Sequence, residues 1–322
     1  MRTTDITQAL SDQFHCAYCH SASDWLQIAR PALRQNSVVH RLQCARCGDQ
    51  IVAKVSLGDE LGGGDGDARA HSRREYETLR ALQLLFPANQ RYATLEPLGY
   101  LESVGFGTVI TRLFHGKDLV HHMRELDANG VAEACREAGN WLRTLHESGA
   151  REVRRKGLDT TDKLGYLTSS YGPVLRGNSK IWAAYQCLAQ EGARIGTPVF
   201  RAVRLHGDFK PENMLCDGRR YVGLDVQWRT TGPAVYDLAP FLNHLWLARH
   251  RLGSPANRHY QQAEEGFLAG YGQLDDIRVL RWVQLYFALC QLGGYRKRGR
   301  LAAGYARWKV WPLVRKLTGQ LA

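Results

Sequence analysis

The chain is 322 residues long, 44% hydrophobic and 23% charged, and carries a formal net charge of +12. That length and balance suit a globular protein of two lobes, each with a core of its own. The first residues lack the apolar core of a signal peptide. The longest largely apolar stretch, 236–248, is interrupted by Asn243 and His244 and is too short to span a bilayer, so a cytoplasmic location is expected.

In chain order the first signal is a pair of C-x2-C knuckles, Cys16-Ala-Tyr-Cys19 and Cys44-Ala-Arg-Cys47, with 24 residues between them. Strands are expected over 25–30 and 38–43, joined by a hairpin around 34–37. In an antiparallel pair the start of the first strand lies beside the end of the second. One knuckle precedes the first strand and the other follows the second, so the pairing brings them together. Four thiolates so placed suit a structural Zn2+ over residues 16–47. Reduced thiols without metal are the competing reading, and His15, His20 and His40 are alternative ligands. The other cysteines, Cys135, Cys187, Cys216 and Cys290, lie in apolar or helical contexts and read as buried thiols.

The next strand, 50–56, sets Lys54 among Ile, Val and Ala. Burying a lysine without a counter-charge costs roughly several kcal/mol, so an acidic partner is expected. The helix expected over 71–82 supplies Glu75, placed near its apolar face by Leu79 and Leu82 at i+4 and i+7, with Glu77 as the second choice. The Gly-rich run 61–67 is not a phosphate cradle, because Asp65 and Asp67 would repel phosphate; it reads as a flexible connection. Strand 107–114 closes the first lobe, 1–114. The second, 115–322, is mostly helical, with helices expected at 131–146, 181–193, 238–249, 261–271 and 275–292 and a short strand at 203–205 leading into a loop.

That loop is the most informative segment: His206-Gly207-Asp208-Phe209-Lys210-Pro211-Glu212-Asn213, followed twelve residues later by Asp225. The spacing is the one phosphoryl transfer requires. Asp208 can accept the proton of an attacking hydroxyl, and Asn213 and Asp225 can hold Mg2+ against the β- and γ-phosphates of a nucleotide. The apolar stretch 214–216, the turn at Asp217-Gly218 and the run 221–224 form a hairpin between the two metal ligands.

His206-Gly207-Asp208, Asn213, Asp225 and the downstream Asp237-Leu238-Ala239 together resemble the aminoglycoside phosphotransferase and choline kinase-like family of the protein-kinase-like superfamily. The resemblance implies an α+β, bilobal kinase-like fold, with an antiparallel β-sheet N-lobe and a mostly helical C-lobe. It implies that Lys54 contacts the α- and β-phosphates of ATP, that Glu75 holds Lys54, and that Asp237 braces the catalytic loop without touching substrate. Asn36 and Ser37, in the hairpin before Val38, resemble the family's phosphate-covering Ser-Asn loop, although this one has no glycine. Main-chain groups from Thr111 to Leu113 would meet the adenine edge. Leu145-His146 matches the end of a family helix, where His146 reads as a core residue. The cysteine knuckles depart from the family pattern.

The charge is uneven. Beyond Asp276 no acidic residue follows, while the tail 277–322 holds ten Lys and Arg interleaved with Trp282, Tyr286, Phe287, Tyr295, Tyr305, Trp308 and Trp311. Two readings fit: aromatics filling a core under a solvated cationic face, or a surface for anionic lipid, glycan or nucleic acid. The expected reaction is transfer of the γ-phosphoryl group of Mg-ATP to a hydroxyl of a non-protein acceptor. That acceptor is an aminoglycoside, amino alcohol or sugar, or an anionic glycan or glycolipid, reached in the last case by peripheral contact with the inner membrane surface. The basic tail disfavours a polycationic acceptor. The alternative, a zinc-ribbon nucleic-acid-binding protein on a relic kinase fold, is disfavoured by the intact set Lys54, Glu75, Asp208, Asn213 and Asp225. A protein kinase is disfavoured by His-Gly-Asp and by the lack of an Ala-Pro-Glu segment.

Overall fold

The computed structural model describes residues 3–20, 24–34, 36–56, 68–103, 106–148, 155–228, 230–248, 256–274, 276–298 and 300–322. The Gly-rich run 61–67 lies outside the described residues. The chain forms two compact units, Met1–Gly116 with Asp217–Val226, and Lys117–Cys216 with Gln227–Ala322.

The first unit opens with α1 (Thr3–Gln13), followed by β1 (Trp25–Gln27), β2 (Ala32–Leu33), β3 (Ser37–Cys44) and β4 (Gln50–Ser56). Then come α2 (Ala68–Gln83), β5 (Tyr92–Thr94), β6 (Pro97–Ser103) and β7 (Phe106–Arg112). A largely antiparallel sheet runs β1-β3-β4-β7-β6, with β2 also on β3. Strand alternation sorts its faces: Ile51, Ala53 and Val55 of β4 are buried in the core with Leu42 and Ile110, so Lys54 points to the opposite face. Against that core lies α1, unassigned by sequence, through Ile6, Leu10 and Phe14.

The other face takes α2. Its Ser72 hydroxyl bonds the Ser56 hydroxyl at 2.6 Å and the Gly107 carbonyl at 3.1 Å. Gly107 permits the approach, since a Cβ there would stand 2.7 Å from that of Ser72. One segment read from sequence as part of 115–322 belongs here instead. Residues 221–223 pair in parallel with β5, Tyr221 opposite Tyr92 and Gly223 opposite Thr94, and Arg220 donates to the Ala88 carbonyl and stacks over Phe114.

The second unit comprises β8 (Lys117–Asp118), α3 (Leu119–Met123), α4 (Ala128–Ser148), β9 (Arg155–Gly157), α5 (Thr160–Arg176), α6 (Ser179–Ile195), β10 (Val199–Arg204) and β11 (Met214–Cys216). After β12 (Tyr221–Gly223) of the first unit come β13 (Thr231–Pro233), α7 (Val235–Ala248), α8 (Ala256–Tyr271), α9 (Ile277–Lys297) and α10 (Arg300–Leu321). A small antiparallel sheet, β13-β10-β9, delivers the chain into the loop after Arg204. Helices α5 and α10 were not assigned from sequence, although Asp159 is a legible N-cap, accepting from the Asp162 N–H.

The aromatics of the tail divide. Trp282 and Tyr286 are buried, with the Trp282 indole N–H donating to the Leu188 carbonyl, while Tyr305 and Trp308 are exposed. Several tail cations are matched internally: Arg278 to Glu191, and Arg281 and Lys316 to Glu264.

Candidate active site

In the first unit, Lys54 is the hub. Its ammonium lies 2.9 Å from Glu75 Oε1 and 2.7 Å from Asp225 Oδ1. Burial works against the charge, but the two carboxylates outweigh it and hold the pKa above the ordinary lysine value. Glu75 is the partner rather than Glu77 because the Ser72 anchor sets the helical phase, and Glu75 is three residues on, on the same face. Asp225 has φ of 53°, a left-handed conformation that among non-glycine residues favours Asp and Asn. Its side chain is half exposed, so this carboxylate is open to a ligand while Glu75 is more enclosed.

Among the expected nucleotide contacts, Asn36 is exposed between β2 and β3, whereas Ser37 is buried and opposite Ser56 in the ladder. Thr111 is buried in β7. The Leu113 N–H donates to the Gln50 carbonyl at 3.0 Å, so that donor is engaged within the sheet and only the carbonyl of Leu113 remains for a ligand.

In the second unit the loop is held at its start. Asp237 accepts from the His206 N–H at 2.6 Å and the Gly207 N–H at 3.0 Å, and from His146 Nε2 at 3.0 Å. The far side of that imidazole, Nδ1, is hydrogen-bonded to the Tyr271 hydroxyl at 3.0 Å. Burial raises the Asp237 pKa, yet the bond and charge of His146, the charge of His206 and the Gly207 N–H outweigh it and hold the carboxyl below its usual value. Gly207, at φ of 88°, is required: a Cβ would meet the Gln227 side chain at 2.8 Å. Beneath the loop, fully buried Phe209 stacks on Trp141 (5.8 Å) and Phe241 (5.0 Å), and Phe241 stacks on Phe267 (4.0 Å).

The loop then presents Asp208 and Asn213. The Asn213 amide nitrogen donates to Asp208 Oδ2 at 3.0 Å and to its carbonyl at 2.9 Å, which leaves the amide oxygen for a hard cation. Lys210, given no role in the sequence reading, lies 2.6 Å from Asp208 Oδ2. Two residues past the candidate base, its side chain returns to the same face of the loop, a direction that no local pattern in the sequence fixes.

The cysteines form a separate cluster in the first unit. Trp25 pairs with Cys44, so β1 and β3 bring the knuckles together, and all four sulfurs lie within 4.8 Å of one another. Cys16–Cys47 and Cys19–Cys44 are 3.5 and 3.9 Å apart, against about 3.8 Å for tetrahedral ligands with Zn–S of about 2.3 Å. The knuckles share one turn: the His20 N–H donates to the Cys16 carbonyl and Gly48 to Cys44, and both closing residues are left-handed, at φ 54° and 78°. At Cys47 the Asp49 N–H favours the thiolate, but burial and the bonds with Cys16, Cys44 and Cys19 push the thiol up to about 12. Four thiolates coexist at this spacing only around a cation.

A family model described as the phosphotransferase enzyme family (APH) matches residues 63–281, more than half of the chain, and the chain belongs to that family. It is an ATP-dependent phosphotransferase with an alcohol group as acceptor. The knuckles and Lys54 precede the matched residues. No curated protein matches the chain.

Solved structures share the fold. Aminoglycoside phosphotransferase APH(4)-Ia, in complex with AMP-PNP and hygromycin B, is 16% identical, with TM-score 0.60 over 97% of this chain and 98% of that one. A microcompartment-associated aminopropanol kinase is 16% identical, with TM-score 0.61 over 99% and 98%. A choline/ethanolamine kinase family protein from Mesorhizobium loti is 15% identical, with TM-score 0.52 over 99% of both chains. The fold is thus the kinase-like α+β fold, with an antiparallel sheet in one unit and helices dominating the other.

Proposed function

We propose that the protein moves the γ-phosphoryl group of Mg-ATP to a hydroxyl of a sugar- or amino-alcohol-type small molecule. The observation that carries this reading is Lys54 held between Glu75 and Asp225, a fixed cation beside an accessible carboxylate. Lys54 binds the α- and β-phosphates, and Glu75 keeps its ammonium in place. Asp208 orients the acceptor hydroxyl and takes its proton, while Lys210 and the Asn213 amide fix the rotamer of Asp208. Asn36, Ser37, Thr111 and the Leu113 carbonyl are assigned to the nucleotide. The donor set fits Mg2+: the Asn213 amide oxygen and the Asp225 carboxylate would hold the ion, which when bound neutralises phosphate charge. The transition state is loose, so these side chains contribute mainly by positioning and charge.

The solved neighbours include kinases of an aminoglycoside and of aminopropanol, which supports a polar, hydroxylated acceptor. The cationic 277–322 region favours an acceptor with anionic character, such as an acidic glycan or glycolipid, over a polycation. On α10, Leu301, Tyr305 and Trp308 are 94%, 43% and 58% exposed at i, i+4 and i+7, beside Lys309. That face supports peripheral contact with an anionic membrane. Salt-sensitive cosedimentation with anionic vesicles is expected, and indifference of the protein to lipid charge would remove this part. We also assign a structural Zn2+ to Cys16, Cys19, Cys44 and Cys47.

The test is ATP turnover against a panel of aminoglycosides, amino alcohols, sugars and acidic glycans. Asp208→Asn is expected to lower turnover by roughly 10²–10⁴ with nucleotide binding kept. Asp225→Ala should instead weaken Mg-nucleotide binding. Full turnover in both variants on the accepted substrate would refute the site.

A further inference from the structure

We propose that a cavity bounded by the start of α6, the end of α9 and the middle of α10 binds a small organic anion, a phosphate or carboxylate on a ring-bearing body. The cavity measures about 380 Å³, within the range of small-molecule sites. Three cations line it, Lys180, Arg296 and Arg307, with Trp311, Ile181 and Leu292 completing the wall and no carboxylate among the lining residues.

What sets these cations apart is that all three line one hollow that holds no carboxylate. Arg278, Arg281 and Lys316 of the same region each reach a buried glutamate. Lys180, Arg296 and Arg307 form no ion pair among the described residues, and Arg296 Nε is buried with no hydrogen-bond partner. A buried guanidinium N–H left unpaired is destabilising, and three like charges around one hollow repel one another. One anion in the cavity relieves both.

The helix end itself is not the site. The Asn178 side chain already accepts from the Lys180 and Ile181 N–H groups, so the α6 terminus is capped from within. The guanidinium and ammonium groups must therefore bind the anion, and two guanidinium forks suit the several oxygens of a phosphate or carboxylate. The indole of Trp311 and the aliphatic side chains offer a flat apolar wall, which is why the ligand has a ring or hydrocarbon body rather than being a bare inorganic ion. None of Lys54, Asp208, Asn213 or Asp225 lines the cavity, so the inference stands apart from the phosphotransfer site.

Calorimetric titration of the full chain with phenyl phosphate, and separately with inorganic phosphate and with phenol, tests it. Phenyl phosphate should bind saturably and more tightly than either half. Arg296→Gln and Arg307→Gln should each weaken it by about tenfold, the worth of one charge-assisted contact. Trp311→Ala should weaken phenyl phosphate but leave inorganic phosphate unchanged. Lys180→Gln, at the helix start, serves where an arginine variant fails to fold. Basal ATP hydrolysis of Arg296→Gln should equal wild type, and Asp208→Asn should lose turnover yet still bind phenyl phosphate. Absence of saturable binding to the wild type overturns the inference. So does binding indifferent to all the pocket variants, or binding lost in Asp208→Asn, which would move the anion to the catalytic loop.

Discussion

Asp237 illustrates how much one side chain can decide. Its carboxylate gathers two main-chain N–H groups and the His146 imidazole, and it is 1% exposed. Its folded pKa is depressed below the ordinary 3.8. The associated stability is therefore complete above that value and is lost as pH falls through the lower, folded-state pKa. Asp237→Asn is expected to destabilise by about 3–5 kcal/mol at pH 7, the cost of breaking a buried pair. The gap from wild type should narrow in urea unfolding at pH 3. A gap that stayed constant from pH 7 to pH 3 would refute the depressed pKa. Residue identity and spacing pointed to Asp208 and Asn213 as candidates, and the family resemblance to Asp237; the Asp237 bonds to the loop N–H groups are seen in the structure. The contact of Lys210 with Asp208 was not legible, because a side chain two residues along a loop can point either way until the loop's backbone is known.

Among elements, the close packing of α4 and α8 carries the floor of the catalytic loop. A Cβ at Gly270 would stand 1.9 Å from the Arg136 carbonyl oxygen, and one at Gly266 2.1 Å from that of Ala132. These are backbone collisions, so no rotamer relieves them. Glycine lets the helices close until Phe267 of α8 reaches Phe209. Gly270→Ala is expected to cost about 3 kcal/mol, the upper end of overpacking penalties, and to lower turnover by loosening the loop. Denaturant unfolding and turnover of this variant check it; unchanged stability would show that the helices separate freely. The periodicity of α4 was plain in the sequence, but the need for glycine at 266 and 270 of α8 was not, because a close approach is invisible until both helices are in place. Likewise α1 escaped notice: its stripe of Ile6, Leu10 and Phe14 spans barely two turns, and only the sheet it covers makes a helix of it.

At the scale of the whole molecule, the chain joins a sheet-bearing unit to a helical one, and a metal would staple the first. Removing Zn2+ with a chelator should lower Tm and expose thiols in the first unit, with about one ion per chain measured beforehand. A metal-free protein with the same Tm would dismiss the assignment. The sequence by itself determined the class of chemistry, because acids and an amide at fixed spacing on one loop are local facts. It also determined the cysteine pairing, because hairpin geometry places the ends of adjacent strands together. Tertiary structure alone decided that Lys54 also meets Asp225, where the segment 217–226 belongs, and which tail cations lack an ion pair among the described residues. Each of these depends on groups far apart in the chain, whose meeting is set by packing and by no local pattern.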